Sequence, residues 1–75
     1  MGRLRVLSGR EVCRILEQYG FTEVRRRGSH AVMQRRTSEG TITVPIPDHT
    51  ELAIRALLSI IRQSRVPRVA FESPE

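Results

Sequence analysis

The sequence predicts an α+β fold. It reads as one small domain in the order α-β-β-β-α, with a three-stranded antiparallel sheet covered on one face by two helices. Three observations predict it. Apolar residues recur at helical spacing from Val12 to Tyr19 and again from Ile54 to Ile61. Between them, residues 21–46 read as strands broken twice by short glycine-containing turns. The chain has 75 residues, enough for one modest core.

Helix one starts at Ser8. Ser8-Gly9-Arg10-Glu11 fits a capping box, in which Ser8 accepts from the Glu11 N–H and Glu11 reaches back. Leu7 and Val12 stand where a hydrophobic staple is found, and Val12, Ile15, Leu16 and Tyr19 form the apolar stripe. Gly20 supplies the left-handed residue that ends helices. Strand one follows over 21–27. Gly28-Ser29 fits a type II′ hairpin turn, and strand two runs over 30–36. Thr37-Ser38-Glu39-Gly40 is a polar loop. Strand three, 41–46, alternates cleanly, and Pro45 marks it as an edge strand. Helix two is expected over about 51–63, with Thr50 as N-cap and Ile54, Leu57, Leu58 and Ile61 as its stripe. The single domain is expected to span 1–75, ordered over about 7–65. Residues 66–75 contain two prolines and no periodicity, and are expected as a loosely attached tail with room for a short turn held by Phe71.

The turns set a register. The first hairpin pairs Arg27 with His30, Arg25 with Val32 and Val24 with Met33; the second pairs Met33 with Val44 and Ala31 with Ile46. Opposed residues share a face. One face then carries Val24, Ala31, Met33, Ile42, Val44 and Ile46 as core. The other carries Arg25, Arg27, His30, Gln34, Arg36 and the threonines. A one-residue slip would place Gln34 opposite Val44 inside the core, which excludes it.

Charge follows this division. There are 13 basic residues, all arginine, and 8 acids, a net charge of +5. The segment 24–38 holds five arginines (Arg25, Arg26, Arg27, Arg35, Arg36) and no acid before Glu39, so the whole excess lies there. Localised guanidinium charge suits a phosphate backbone. Three aromatics are too few for a platform of stacked bases.

His30 is the residue whose position points to chemistry. It follows the tight turn on the open face, opposite Arg27, and Asp48 and His49 return to the same end of the sheet. RNA cleavage needs a base for the ribose 2′-OH, an acid for the leaving oxygen and cations for the charged phosphorane. Imidazole suits the proton transfers and arginine the charge. His49 is a candidate auxiliary group or a structural residue before helix two. The histidines and Asp48 lack zinc-ligand spacing, so no metal and no cofactor is expected. One cysteine excludes an intrachain disulfide, and no apolar run approaches the ~18 residues of a membrane span. The expected compartment is the cytoplasm.

The run Gly20-Phe21, Val24-Arg25, Gly28-Ser29-His30, Val44-Pro45, His49, Glu51-Leu52 and Ile60-Ile61-Arg62-Gln63 resembles the HicA (YcfA-like) toxin family over about residues 8–65. The resemblance implies a fold like that of double-stranded RNA-binding domains. It implies an mRNA interferase, that is, an endoribonuclease toxin of a toxin–antitoxin system, with mRNA as substrate and a HicB-like antitoxin as partner. It places the catalytic histidine at His30 and the glycine-serine turn at Gly28 and Ser29. Arg25, Arg26, Arg27, Arg35 and Arg36 would then hold the RNA. The family usually carries Gly-Thr-Leu entering helix two and Ala-Gly at its end. This chain has Arg55-Ala56-Leu57 and Ser64-Arg65 there, and the first of these departures implies a helix extended toward Thr50. Two other readings of the same residues are a non-catalytic RNA-binding module and a protein-interaction domain docking an acidic partner.

Overall fold

A computed structural model describes residues 2–73. Its elements are α1 (Gly9–Gln18), β1 (Thr22–Arg27), β2 (His30–Thr37), β3 (Gly40–Pro47), α2 (Ile54–Ser64) and a 3-10 turn (Arg68–Phe71). The sheet is antiparallel with order β1-β2-β3, so β2 is central and Pro45 and Pro47 lie on an edge strand.

The α1 cap forms as the sequence predicts. The Ser8 side chain accepts from the Glu11 N–H at 3.0 Å, and the Glu11 carboxylate accepts from the Ser8 N–H at 2.8 Å. That backbone N–H, followed by the Ser8 hydroxyl, holds the Glu11 carboxyl below its usual range. Gly20 follows the helix at φ 93. Gly9 is required by contact rather than by φ. A Cβ there would stand 2.0 Å from the Pro47 carbonyl oxygen, and the Gly9 N–H donates to the His49 carbonyl at 2.9 Å. The start of α1 is thereby pinned to the end of β3.

The first hairpin departs from the predicted register. Arg27 pairs with His30, Arg26 with Ala31 and Arg25 with Val32, but Glu23 rather than Val24 opposes Met33. Val24 is the extra residue of a β-bulge and is 44% exposed. It does not join the core. The reason lies three residues earlier. Without the extra residue, Phe21 would fall opposite Arg36 on the open face. With it, Phe21 turns toward the helices and is 1% exposed. An aromatic ring buries more apolar surface than a valine, so the shift favours Phe21. Between β2 and β3 the pairs Met33–Val44 and Ala31–Ile46 form as predicted, and the strands run one pair further, to Thr37–Gly40. The predicted four-residue loop is therefore a two-residue turn. The Thr37 hydroxyl clips it by accepting from the Glu39 N–H and donating to the Gly40 carbonyl.

Helix α2 starts later than predicted, at Ile54, and its N-cap is Ala53 rather than Thr50. The Leu52 N–H donates to the Leu7 carbonyl at 2.8 Å, and the Leu52 side chain is buried. That bond holds residue 52 alongside the N-terminal segment, outside any helix. The buried face is Leu57, Ile60 and Ser64 with Ile61 half-buried, whereas Ile54 and Leu58 of the predicted stripe stay exposed. Where the resembled family has Ala-Gly, Ser64 accepts from the Val66 N–H and Arg65 adopts the left-handed conformation at φ 62.

Residues 66–73 are packed rather than loosely attached, and the short turn expected at Phe71 forms over Arg68–Phe71. Val66 is buried and Phe71 is fully enclosed in the core. The segment runs against the N-terminus: the Arg5 N–H donates to the Phe71 carbonyl, the Ser73 N–H donates to the Arg3 carbonyl, and Leu4 bridges Glu72. Pro74 and Glu75, the end of the predicted tail, lie outside the described residues. The proline-bearing segment shows no periodicity because it is anchored by a single aromatic and two backbone bonds.

Two outcomes follow. Phe71→Ala removes a fully buried ring and costs about 3–5 kcal/mol, which leaves so small a domain largely unfolded; urea denaturation reads this directly. Arg65→Gly relieves a left-handed non-glycine residue and stabilises by about 1 kcal/mol, a rise of roughly 4–8 °C in Tm. An unchanged melting curve for either variant contradicts the packing described.

Candidate nucleic-acid interface and active site

Parity along β2 sorts the predicted site residues. Ala31, Met33 and Arg35 point to the helices; His30, Val32, Gln34 and Arg36 point away from them. Through the pairing, Arg25 and Arg27 of β1 and Thr41, Thr43, Pro45 and Pro47 of β3 join the second set. The open face therefore presents Arg25, Arg27, Arg36 and His30. Arg36 stands six residues from His30, about 20 Å along the strand. Arg25 and Arg27 are the arginines beside the histidine, and they line a shallow depression with His30, Val32, Thr43 and Pro45.

The remaining two arginines of the basic segment point the other way and are occupied. Arg26 shares a face with Ala31 and pairs with Asp48 at 3.3 Å and Glu23 at 3.6 Å. The bulge helps here, because it also brings Glu23 round to the helix side. The Arg35 guanidinium donates to the Tyr19 carbonyl at 3.0 Å and stands 5.9 Å from the centroid of the Phe21 ring. It thus caps the C-terminus of α1, whose last turn has no basic residue of its own. The five-arginine cluster is one segment in sequence and two surfaces in space.

The turn beside His30 is held firmly. Gly28 sits at φ 56, with no positive φ at Ser29, the pattern of a type II′ turn. A Cβ at Gly28 would meet nothing within 4 Å, so the tip is open and only its backbone conformation calls for glycine. The Asp48 N–H donates to the Ser29 carbonyl at 2.7 Å. His30 is thus fixed between Arg27 and Pro47 on a strand whose end is tied to β3, with its imidazole exposed.

Asp48 and His49 are near in chain terms but turned elsewhere. The Asp48 carboxylate is engaged by Arg26, on the helix side. His49 lines a separate depression with Ser8, Arg10, Asp48 and Thr50, while its carbonyl receives the Gly9 N–H. The two histidines do not share a site. Among the described residues no group of three or more His, Cys, Asp or Glu side chains is disposed to hold a metal, and no helix is long and apolar enough to cross a membrane.

An open basic sheet face with a histidine fixed beside a glycine-serine turn is the geometry in place when the chain is compared with known proteins. Residues 9–66 match the family described as the HicA toxin of bacterial toxin–antitoxin systems. The chain belongs to the HicA toxin family. The match takes in both helices, the whole sheet and the turn before His30, and stops short of the N- and C-terminal segments that close the core. Membership makes the chain the toxin side of such a system and implies a cognate antitoxin as its partner. None of the curated proteins searched matches it.

A third depression lies on the helix side and is lined by Cys13 together with Arg10, Arg14, Glu23, Arg26 and Asp48. Burial pushes the Cys13 thiol up, and the Glu23 and Glu17 carboxylates push it further. A raised thiol holds less thiolate at a given pH. Alkylation by iodoacetamide at pH 8 is therefore expected to be several-fold slower in the folded protein than in urea. Equal rates would contradict the placement of Cys13.

Proposed function

We propose that this HicA-family chain is an endoribonuclease that cleaves mRNA without a metal, with His30 as general acid/base. The observation that carries the reading is the position of His30: on the open face, exposed, with Arg27 opposite it and Arg25 one row away. Imidazole takes the proton from a ribose 2′-OH; the 2′-oxygen attacks the adjacent phosphorus; the bond to the 5′-oxygen breaks, and that oxygen takes up a proton. The ends left are a 2′,3′-cyclic phosphate and a 5′-OH. Arg25 and Arg27 offset the charge that gathers on the phosphoryl oxygens, and Gly28 and Ser29 shape the turn beside the scissile bond. Arg36 extends the phosphate track along the sheet. Arg26 and Arg35 act from the other side by holding the scaffold. His49 stands outside this arrangement as a structural residue.

The same reading assigns the partner. A HicB-like antitoxin with an acidic surface would dock on the arginine face and cover His30, so that binding and inhibition are one event. The substrate places the work in the cytoplasm.

The test is incubation of end-labelled single-stranded RNA with wild type and His30→Ala, in EDTA and at low salt. Cleavage by the wild type, absent in the variant, is expected. Binding without cleavage in both would make the chain an RNA-binding module; no binding would favour the protein-interaction reading. In binding measured against salt, Arg25→Gln and Arg27→Gln each lower the slope of log K by about 0.7. Arg35→Gln instead lowers the melting temperature and leaves that slope in place. A slope that responds to Arg35 and ignores Arg25 would contradict the division of faces.

A further inference from the structure

The open face is divided lengthwise by strand. Pairing sets its residues in rows across the sheet: Arg27–His30–Pro47, then Arg25–Val32–Pro45, then Thr22–Gln34–Thr43. In these three rows the guanidiniums stand on the β1 side, and Arg36 of β2 lies one row beyond them, opposite Thr41. The β3 side carries Thr43, Pro45 and Pro47 and no charge. Val32, between them, is only 6% exposed although no helix covers this face. Its row neighbours Arg25 and Pro45 flank it, and it forms the floor of the depression beside His30. At the third row the Gln34 amide nitrogen donates to Thr43 Oγ1 at 3.2 Å. That bond orients both groups. In this exposed pair it leaves the Gln34 amide oxygen as an acceptor and the Thr43 hydroxyl hydrogen as a donor.

This division matches a nucleotide laid across the strands. The phosphate falls on the charged side. The flat, weakly polar face of the base falls on the valine methyls and the proline ring. Its hydrogen-bonding edge meets the donor and acceptor of the third row. Phosphate contacts position a nucleic acid without reading it; contacts to base edges carry the choice. Tyr19, Phe21 and Phe71, the only aromatics, all pack in or against the core. No Phe or Tyr ring is therefore offered on this face, and base discrimination at the third row falls to the polar pair.

We propose that the uncharged half of the open face, floored by Val32 and Pro45 and closed by the hydrogen-bonded Gln34–Thr43 pair, is a nucleobase subsite that gives the protein a sequence preference. The inference rests on the RNA-cleavage reading of the same face. Gln34 lies four residues from His30, about 13 Å along a strand. The base it reads therefore belongs to a neighbouring nucleotide rather than to the one that supplies the 2′-OH.

Thr43→Val tests it. Valine keeps the shape and the strand preference of threonine and removes only the hydroxyl, and a thermal melt confirms that the fold is retained. Short fluorescent single-stranded RNAs of A, C, G and U are titrated onto His30→Ala protein, with and without Thr43→Val, and anisotropy gives the four affinities. The parent is expected to separate the best base from the worst by about tenfold, and the valine variant to compress that spread to about twofold. In parallel, the active protein with and without Thr43→Val cuts a mixed-sequence RNA, and the bases flanking the cuts are mapped. A spread and a cut map that ignore the substitution overturn the subsite and leave the nuclease reading standing. Base-selective binding lost in Thr43→Val, by a protein that never cuts, keeps the subsite and overturns the nuclease. No RNA binding by any form overturns both.

Discussion

The alternation of side chains along β2 is the constraint on which the molecule depends. As the central strand it is fixed on both sides, by β1 and by β3, so its parity cannot slip without exposing Ala31 and Met33 and burying Gln34. Each candidate site residue of the sheet inherits its face from that choice. His30, Val32, Gln34 and Arg36 look outward because Ala31 and Met33 look inward. On β1 the same parity would have placed Phe21 outside, and the bulge at Val24 restores it to the core. One extra residue thus completes the core, turns Glu23 toward Arg26, and leaves Arg25 and Arg27 beside His30.

Apart from the Gln34–Thr43 bond on the open face, the polar ties between elements gather on the helix side and at the turn end. Asp48 is central to them: its N–H holds Ser29 and its carboxylate holds Arg26. Gly9 lets α1 approach the same corner, and Arg35 seals the other end of that helix. A domain of this size has little apolar surface to spare, and the two chain ends contribute Leu7, Val66 and Phe71 to the core. Stability is supplied from one side of the sheet, which leaves the exposed charge of the other side free for a ligand.

Much of this was legible in the sequence because it rests on short-range rules. The Ser8–Glu11 box, the Gly20 stop, the glycine-serine turn and the alternation of 41–46 each depend on residues within a few positions of one another. The order of elements and the outward aspect of His30, Arg25 and Arg27 follow from them. What was missed depends on distant contacts. The start of α2 is set by Leu52 meeting Leu7, and the close packing of residues 66–73 by Phe71 reaching the core, where the sequence offered only a short turn held by that ring. The bulge did leave a local trace: Phe21 and Val24 are both apolar and three apart, so a regular strand cannot bury both. The split of the arginine cluster was half legible. Parity already separated Arg26 from its neighbours, but only the packed structure shows Asp48 and the end of α1 taking up Arg26 and Arg35. Val32 was placed opposite Arg25 by the register, and its burial on an uncovered face needs the flanking strands.

In the proposed function the open sheet face, rather than the helices, is the surface that meets RNA. Nitrogen-15 NMR of uniformly labelled His30→Ala protein, titrated with a short single-stranded RNA, tests this most directly. Shifts concentrated in Arg25, Arg27, Val32, Gln34 and Thr43, with α1 and α2 quiet, are the predicted result. Shifts centred on Arg10, Arg14 and the exposed side of α1, with β2 unmoved, would contradict it.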